Sequence, residues 1–267
     1  MGFDENLRRL VALSAPYWAG EMEVVRTYFH SPLRTRERDI LWLRRQCFKE
    51  MWGSGVGDRD RGLFQWRAAY LANIFDGIDR SVDRHAVLRV IDDLRTEFSH
   101  YCLFADIYDV LSDTKLDPAQ LEGWPADDEL TRLRYACRDR HKLAGDLAVA
   151  STEGGYGAMY AVGMELGGMG GINARIARAC EQVYADEIGH ARHGLVGLAR
   201  QELPATQWEE LAEAITAVLR QRLRMRNEQF SYPVSPERLR ALDAGGAAPL
   251  AFDYRGIDGA AAGAEPT

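Results

Sequence analysis

An all-helical protein built on a four-helix bundle is the fold class the sequence predicts, and three observations predict it. Apolar residues recur at spacings of three and four from Leu7 to Phe230, period-two alternation is almost absent, and prolines and Gly/Asp clusters cut the chain into long segments with short connections. In chain order, Pro16 and Pro32 bound a short helix, and a second helix covers 35–52. Residues 53–60 (GSGVGDRD) form a loop, and a helix over 60–80 ends at a tight turn, Ser81 to Asp83, whose Asp83 caps the next helix, 83–112. Pro118, Pro125 and several Asp residues make 113–126 a longer crossover. Helices over 127–167, 171–202 and 205–230 follow, the last two parted by Pro204. Two helical hairpins joined by a crossover is the plan of a four-helix bundle, here with extra N- and C-terminal helices. Residues 1–243 read as one helical domain. The tail 244–267, rich in Ala and Gly, reads as irregular and disordered over its last dozen residues, with Phe252 and Tyr254 tucking onto the bundle.

Composition narrows the function. Apolar residues make up 46% of the 267, enough for a substantial core. Lys and Arg number 33 against 40 Asp and Glu, a formal net charge of −7, so neither nucleic acid nor an anionic membrane is an expected partner. Apolar stretches are broken well before the ~20 residues a membrane span needs, and the start has no basic segment followed by an apolar run. A soluble cytoplasmic protein is expected. Cys47, Cys102, Cys137 and Cys180 lie far apart without a Cys-x-x-Cys and read as buried free thiols.

The chemistry-bearing residues fall on the long helices. Helix 83–112 holds Glu97-Phe-Ser-His100, and helix 171–202 holds Asp186-Glu187-Ile-Gly-His190. A spacing of three puts both side chains of each Glu-x-x-His on one helix face, about one turn apart, as a metal ion requires. Glu153 lies in an otherwise uncharged run, where a buried carboxylate is costly unless a cation neutralises it. The midpoint between Glu153 and Glu187 is residue 170, inside the Gly167-Gly168-Met169-Gly170-Gly171 turn, so an antiparallel hairpin sets Glu153 level with Glu187.

The set Glu-x-x-His, Glu, Glu-x-x-His within a helical bundle resembles the ferritin-like di-iron carboxylate superfamily. The Asp-Glu-x-x-His of 186–190 and the Glu153-Gly154-Gly155-Tyr156 sequence are similar to its oxygen-activating oxidase and oxygenase branch, over about 60–202. The resemblance implies two iron (or manganese) ions held by Glu97, His100, Glu153, Glu187 and His190, with dioxygen as co-substrate in the oxidation of a small molecule by hydroxylation, N-oxygenation, desaturation or cleavage. Asp186 would orient an imidazole. His193 would stand behind the ligands or on the surface, and Tyr184 and Tyr156 lie about a turn from them. No Gly-x-Gly-x-x-Gly or cysteine cluster is present to hold a flavin, nicotinamide or iron–sulfur centre, so an external reductase or ferredoxin would supply electrons. A homodimer is the assembly entertained.

One ligand is missing from this pattern, a carboxylate on the first bundle helix. With 60–80 as that helix and its turn near residue 81, the residue level with Glu97 is Gln65; Asp76 and Asp79 fall about 16 Å or more away along the axis. Either Gln65 is a weak neutral ligand, or the position is open, or a neighbouring helix supplies a carboxylate, as Glu50 of the preceding helix would. Three carboxylates against two ferrous ions leave positive charge at the site, which predicts an anionic substrate. A haem-oxygenase-like di-metal oxidase, with Asp93 in place of Glu97, and a non-catalytic iron-handling or partner bundle are the alternatives. Arg220, Arg222, Arg224 and Arg226 recur every second residue and read as a solvated surface. Gly154, Gly155, Gly157 and Gly163 within a helical segment call for a close neighbour or a local widening.

Overall fold

The computed structural model describes residues 2–57, 59, 62–152, 158–255 and 257, and among them ten α-helices and no β-strand. These are α1 (Phe3–Phe29), α2 (Arg36–Trp52), α3 (Gly62–Phe75), α4 (Arg84–Ser112), α5 (Pro125–His141), α6 (Leu143–Ser151), α7 (Ala158–Met164), α8 (Gly171–Ala199), α9 (Ala205–Gln229) and α10 (Pro236–Asp243). None is long and apolar enough to cross a membrane. The all-α expectation holds, and most helix limits fall within a few residues of those read from the sequence. Asp83 caps α4 as expected, its Oδ1 accepting from the His85 N–H at 3.1 Å.

Three elements differ from expectation. Pro16 lies inside α1, a long helix from Phe3 to Phe29, instead of bounding a short one with Pro32. Proline removes its own N–H and crowds the carbonyl four residues back; that residue, Ala12, is exposed, so water can take the place of the lost bond. The segment 127–167 is not one helix but α5, α6, α7 and a 3-10 turn, Glu165–Met169. Lys142, with φ +54°, breaks it. The first partner of α4 is α2, not the helix after the loop. Arg36 Nε donates to the Leu111 carbonyl at 2.7 Å, and Trp42 meets Phe104 edge-on with ring centroids 6.3 Å apart. The two helices therefore run antiparallel, which brings Glu50 opposite Glu97. Helix α3 is only 14 residues long, buries only its first turn (Gly62 and Leu63), and lies against α2 and α4.

Helix α8 packs against α6 and α7 in an antiparallel register, and against α1 and α4. Gly194 meets the Ser151 backbone, and Gly163 meets Cys180. Helix α9 packs on α1 and α5. Two apolar clusters hold these helices. One joins α1, α6, the end of α8 and α9 through Leu10, Trp18, Val149, Leu195 and Leu223. The other joins α2, α4, α7 and the start of α8 through Trp42, Phe104, Val162, Ile176 and Phe230. On α8 the second cluster stops at Val183 and the first resumes at Leu195, leaving the Asp186–Glu187 stretch between two dry cores. Phe252 stacks on Trp18 (6.2 Å between centroids) and Tyr254 meets Phe252 edge-on (4.8 Å), the expected tuck of the tail. Beyond residue 255 only Ile257 is described, so the expected disorder there lies outside the described residues. The four cysteines are free, three of them buried and Cys102 half-buried.

Candidate metal centre

The buried stripe of α2 runs Asp39, Trp42, Leu43, Gln46, Cys47, Glu50, a three-and-four spacing that carries three polar residues into the interior. Across from it, α4 buries Glu97, His100, Tyr101 and Phe104 on one face. Glu50, Glu97 and His100, all buried, bring one ligand-type atom each within 4.8 Å of one another. From α8, Asp186 and Glu187 reach the same imidazole.

His100 organises this group. Its Nε2 lies 3.0 Å from Asp186 Oδ2. A carboxylate accepts, so Nε2 carries a proton toward Asp186 and Nδ1 is the ring nitrogen left to face inward, where a metal ion would take its lone pair. Nδ1 is buried and has no hydrogen-bond partner among the described residues. It faces three carboxylate oxygens: Glu97 Oε2 at 3.9 Å, Glu187 Oε1 at 3.9 Å and Glu50 Oε2 at 4.0 Å. Those distances are too long for hydrogen bonds, yet one ion with bonds of about 2.1 Å can touch both atoms of each pair. Four electron-rich atoms converging in the interior repel one another unless a cation lies among them. One imidazole and three carboxylates form a donor set suited to iron, manganese or zinc.

Glu50 is held for this task. Gln46 Nε2 donates to Glu50 Oε1, as does the Tyr160 hydroxyl at 3.2 Å, which leaves Oε2 turned toward His100. Burial, with the charges of Glu50 and Glu187 added, pushes the Tyr160 hydroxyl well above its usual value and keeps it a donor. The Gln46 amide is fixed in turn, since Oε1 accepts from Gln229 at 2.9 Å and from Arg226 at 3.3 Å. Arg226 and Arg222 both bind Glu21, and all three are buried. Burial pushes the Glu21 carboxyl up, but the two guanidinium charges and their hydrogen bonds outweigh it and hold it below the ordinary value. The solvated surface expected of the arginine series therefore fails for Arg222 and Arg226. Four residues apart, they share the inner face of α9.

The ligand group opens on a solvent-open cleft lined by Glu50, Glu97 and Glu187 and also by Lys49, Arg67, Arg134, Arg222 and Arg226. Burial lowers Lys49 to about 8, against the opposing pull of Asp127 at 3.1 Å. Arg67 of α3 lies 3.4 Å from Asp93 and 3.7 Å from Glu97.

The residues singled out in the sequence are placed as follows. Glu97, His100, Asp186 and Glu187 come together. Gln65 does not join them; it is exposed on α3, and Glu50 supplies the first-helix carboxylate instead. Asp93 is 58% exposed and turned to Arg67, not to the imidazole. His190 is half-buried on α8 and is not a member of the Glu50–Glu97–His100 group; His193 is exposed and Tyr184 half-buried. Glu153 and Tyr156, with Gly154, Gly155 and Gly157, lie outside the described residues. The residues missed were Gln46 and Tyr160 as supports of a ligand; Glu50 was one of the options for the open position and is the one brought beside His100. A glutamate closing the apolar stripe of α2 was the available signal for Glu50. Comparison with protein-family models, with curated proteins and with solved structures gives no match.

Proposed function

We propose that this chain is a di-metal oxidoreductase of the ferritin-like kind, with iron or manganese and dioxygen, that oxidises a small molecule. The observation that carries the reading is the buried, unpartnered Nδ1 of His100 facing the oxygens of Glu50, Glu97 and Glu187 at 3.9–4.0 Å. Glu50, Glu97 and His100 would hold one ion and Glu187 would bridge to a second, for which His190 and Glu153 are the ligands the resemblance implies. When bound, the metals supply the redox chemistry with dioxygen, and electrons come from an external donor.

The chain's own contribution is orientation and exclusion of water. Asp186 fixes the His100 tautomer, while Gln46 and Tyr160 aim Glu50, the kind of outer support on which metal affinity depends. Apolar clusters on both sides restrict the approach of water to the cleft side of the centre. With Glu50 in the set, four carboxylates balance two divalent ions. The alternative of a bundle that has lost its first carboxylate thereby loses its main support, and exposed Asp93 gives the haem-oxygenase-like arrangement none.

Glu187→Ala tests the reading. Losing a bridging carboxylate raises repulsion between the cations and frees coordination positions. Iron per chain and dioxygen uptake by the reduced protein should both fall, with the far-ultraviolet circular dichroism of the helices kept. Unchanged metal content and uptake in the folded variant would overturn it.

A further inference from the structure

The cavity beside the ligand group holds more positive charge than its own partners neutralise once the glutamates are engaged by metal. Lys49 has Asp127 as its counter-charge. Arg222 and Arg226 share a single carboxylate, Glu21, so this buried trio keeps one positive charge. Arg67 differs from all of these. Its nearest carboxylate atoms, on Asp93 and Glu97, are 3.4 and 3.7 Å away, and among the described residues its guanidinium makes no hydrogen bond. Its side chain is 21% exposed and lines the cavity from α3, next to Leu63 of the same helix. Its approach to Glu97 is the contact that metal ligation by Glu97 would weaken.

We infer that the cavity binds a small molecule through an oxyanion group, carboxylate or phosphate, received by the guanidinium of Arg67, and that the substrate belongs to this class. The second clause rests on the proposed function; the first rests on the guanidinium of Arg67 itself, and metal at the glutamates only strengthens it. A guanidinium presents two parallel N–H donors that match two oxygens of either group, and Arg67 lines the solvent-open cleft beside the ligand group. The buried Arg222–Arg226–Glu21 charge adds attraction behind it without offering a rival anion, since Glu21 is already saturated by both arginines. The reason for an anionic substrate is thus a set of cavity cations and not a missing metal ligand.

Calorimetric titration of the full chain, metal-free and loaded with zinc, tests this with three probes of similar size: benzoate, phenyl phosphate and neutral benzamide. At least one anion should bind saturably to the zinc-loaded protein, more tightly than to the metal-free protein, and benzamide should not. Arg67→Gln should weaken anion binding at least tenfold and Arg67→Lys less, with zinc content and helix content unchanged in both. Which anion binds tells carboxylate from phosphate. Failure of both anions, equal binding of benzamide, or indifference to Arg67→Gln would overturn the inference. Should the chain take up no zinc, the proposed function fails, and the same three probes on the metal-free protein still decide the anion site.

Discussion

His100 has one ring nitrogen satisfied by Asp186 and the other without a hydrogen-bond partner among the described residues, and the side chains around it are arranged as if to preserve that state. Glu50 could have turned to meet the ring directly, but Gln46 and Tyr160 hold its other oxygen. Gln46 itself cannot rotate, because its carbonyl oxygen is taken by Arg226 and Gln229. A chain of hydrogen bonds therefore runs from the Glu21 trio to a candidate ligand, and breaking it in the middle should be felt at the metal. Gln46→Ala is expected to weaken metal binding about 10- to 100-fold while leaving the ligands themselves in place. Competition with a chelator of known affinity measures it; an unchanged affinity would mean that Glu50 needs no positioning.

At the scale of elements, the helices are joined by close approaches and by one buried ion trio. An added Cβ at Gly194 would lie 2.3 Å from the Ser151 backbone nitrogen, where α6 meets α8, whereas at Gly189 nothing lies within 4 Å. Gly194→Ala should therefore destabilise the fold by about 1–3 kcal/mol or more, and Gly189→Ala, on the same helix, should stabilise it by about 0.5–1 kcal/mol. Urea unfolding of the pair checks both signs. Glu21 ties α1 to α9, and Glu21→Gln leaves two buried guanidinium groups short of a counter-charge, at a cost of about 3–5 kcal/mol. Because the folded pKa of Glu21 lies below 4.5, its contribution is complete above that pH and is lost as pH falls through the lowered folded value. The gap between wild type and variant should stay constant from pH 7 to about 4.5 and narrow below it.

Helix order was legible in the three-and-four spacing, and so were Glu97, His100 and Glu187, because two Glu-x-x-His motifs need only local geometry to share a face. Which helix lies opposite α4 was not legible. The helix after the loop adjoins α4 in sequence, so hairpin arithmetic selected it and pointed to Gln65. The deciding fact is burial: α3 hides only Gly62 and Leu63, whereas α2 has a continuous inward stripe from Asp39 to Glu50. The break at Lys142 was hidden for a different reason, since a positive φ there falls on a residue that is not glycine.

For the whole molecule, two large apolar clusters lie on either side of a charged seam, and the fold should stand on them with or without metal. Metal binding should add stability by mass action, about 2.7 kcal/mol with free metal at a hundred times its dissociation constant. The most direct test of a di-metal centre organised on His100 is titration of the metal-free chain with cobalt(II), followed by visible absorption. Saturation at two equivalents per chain is expected, with Glu50→Ala and His100→Ala each losing at least one equivalent while keeping their helices. Absence of saturable uptake by the folded wild-type chain, or full uptake by both variants, would contradict it.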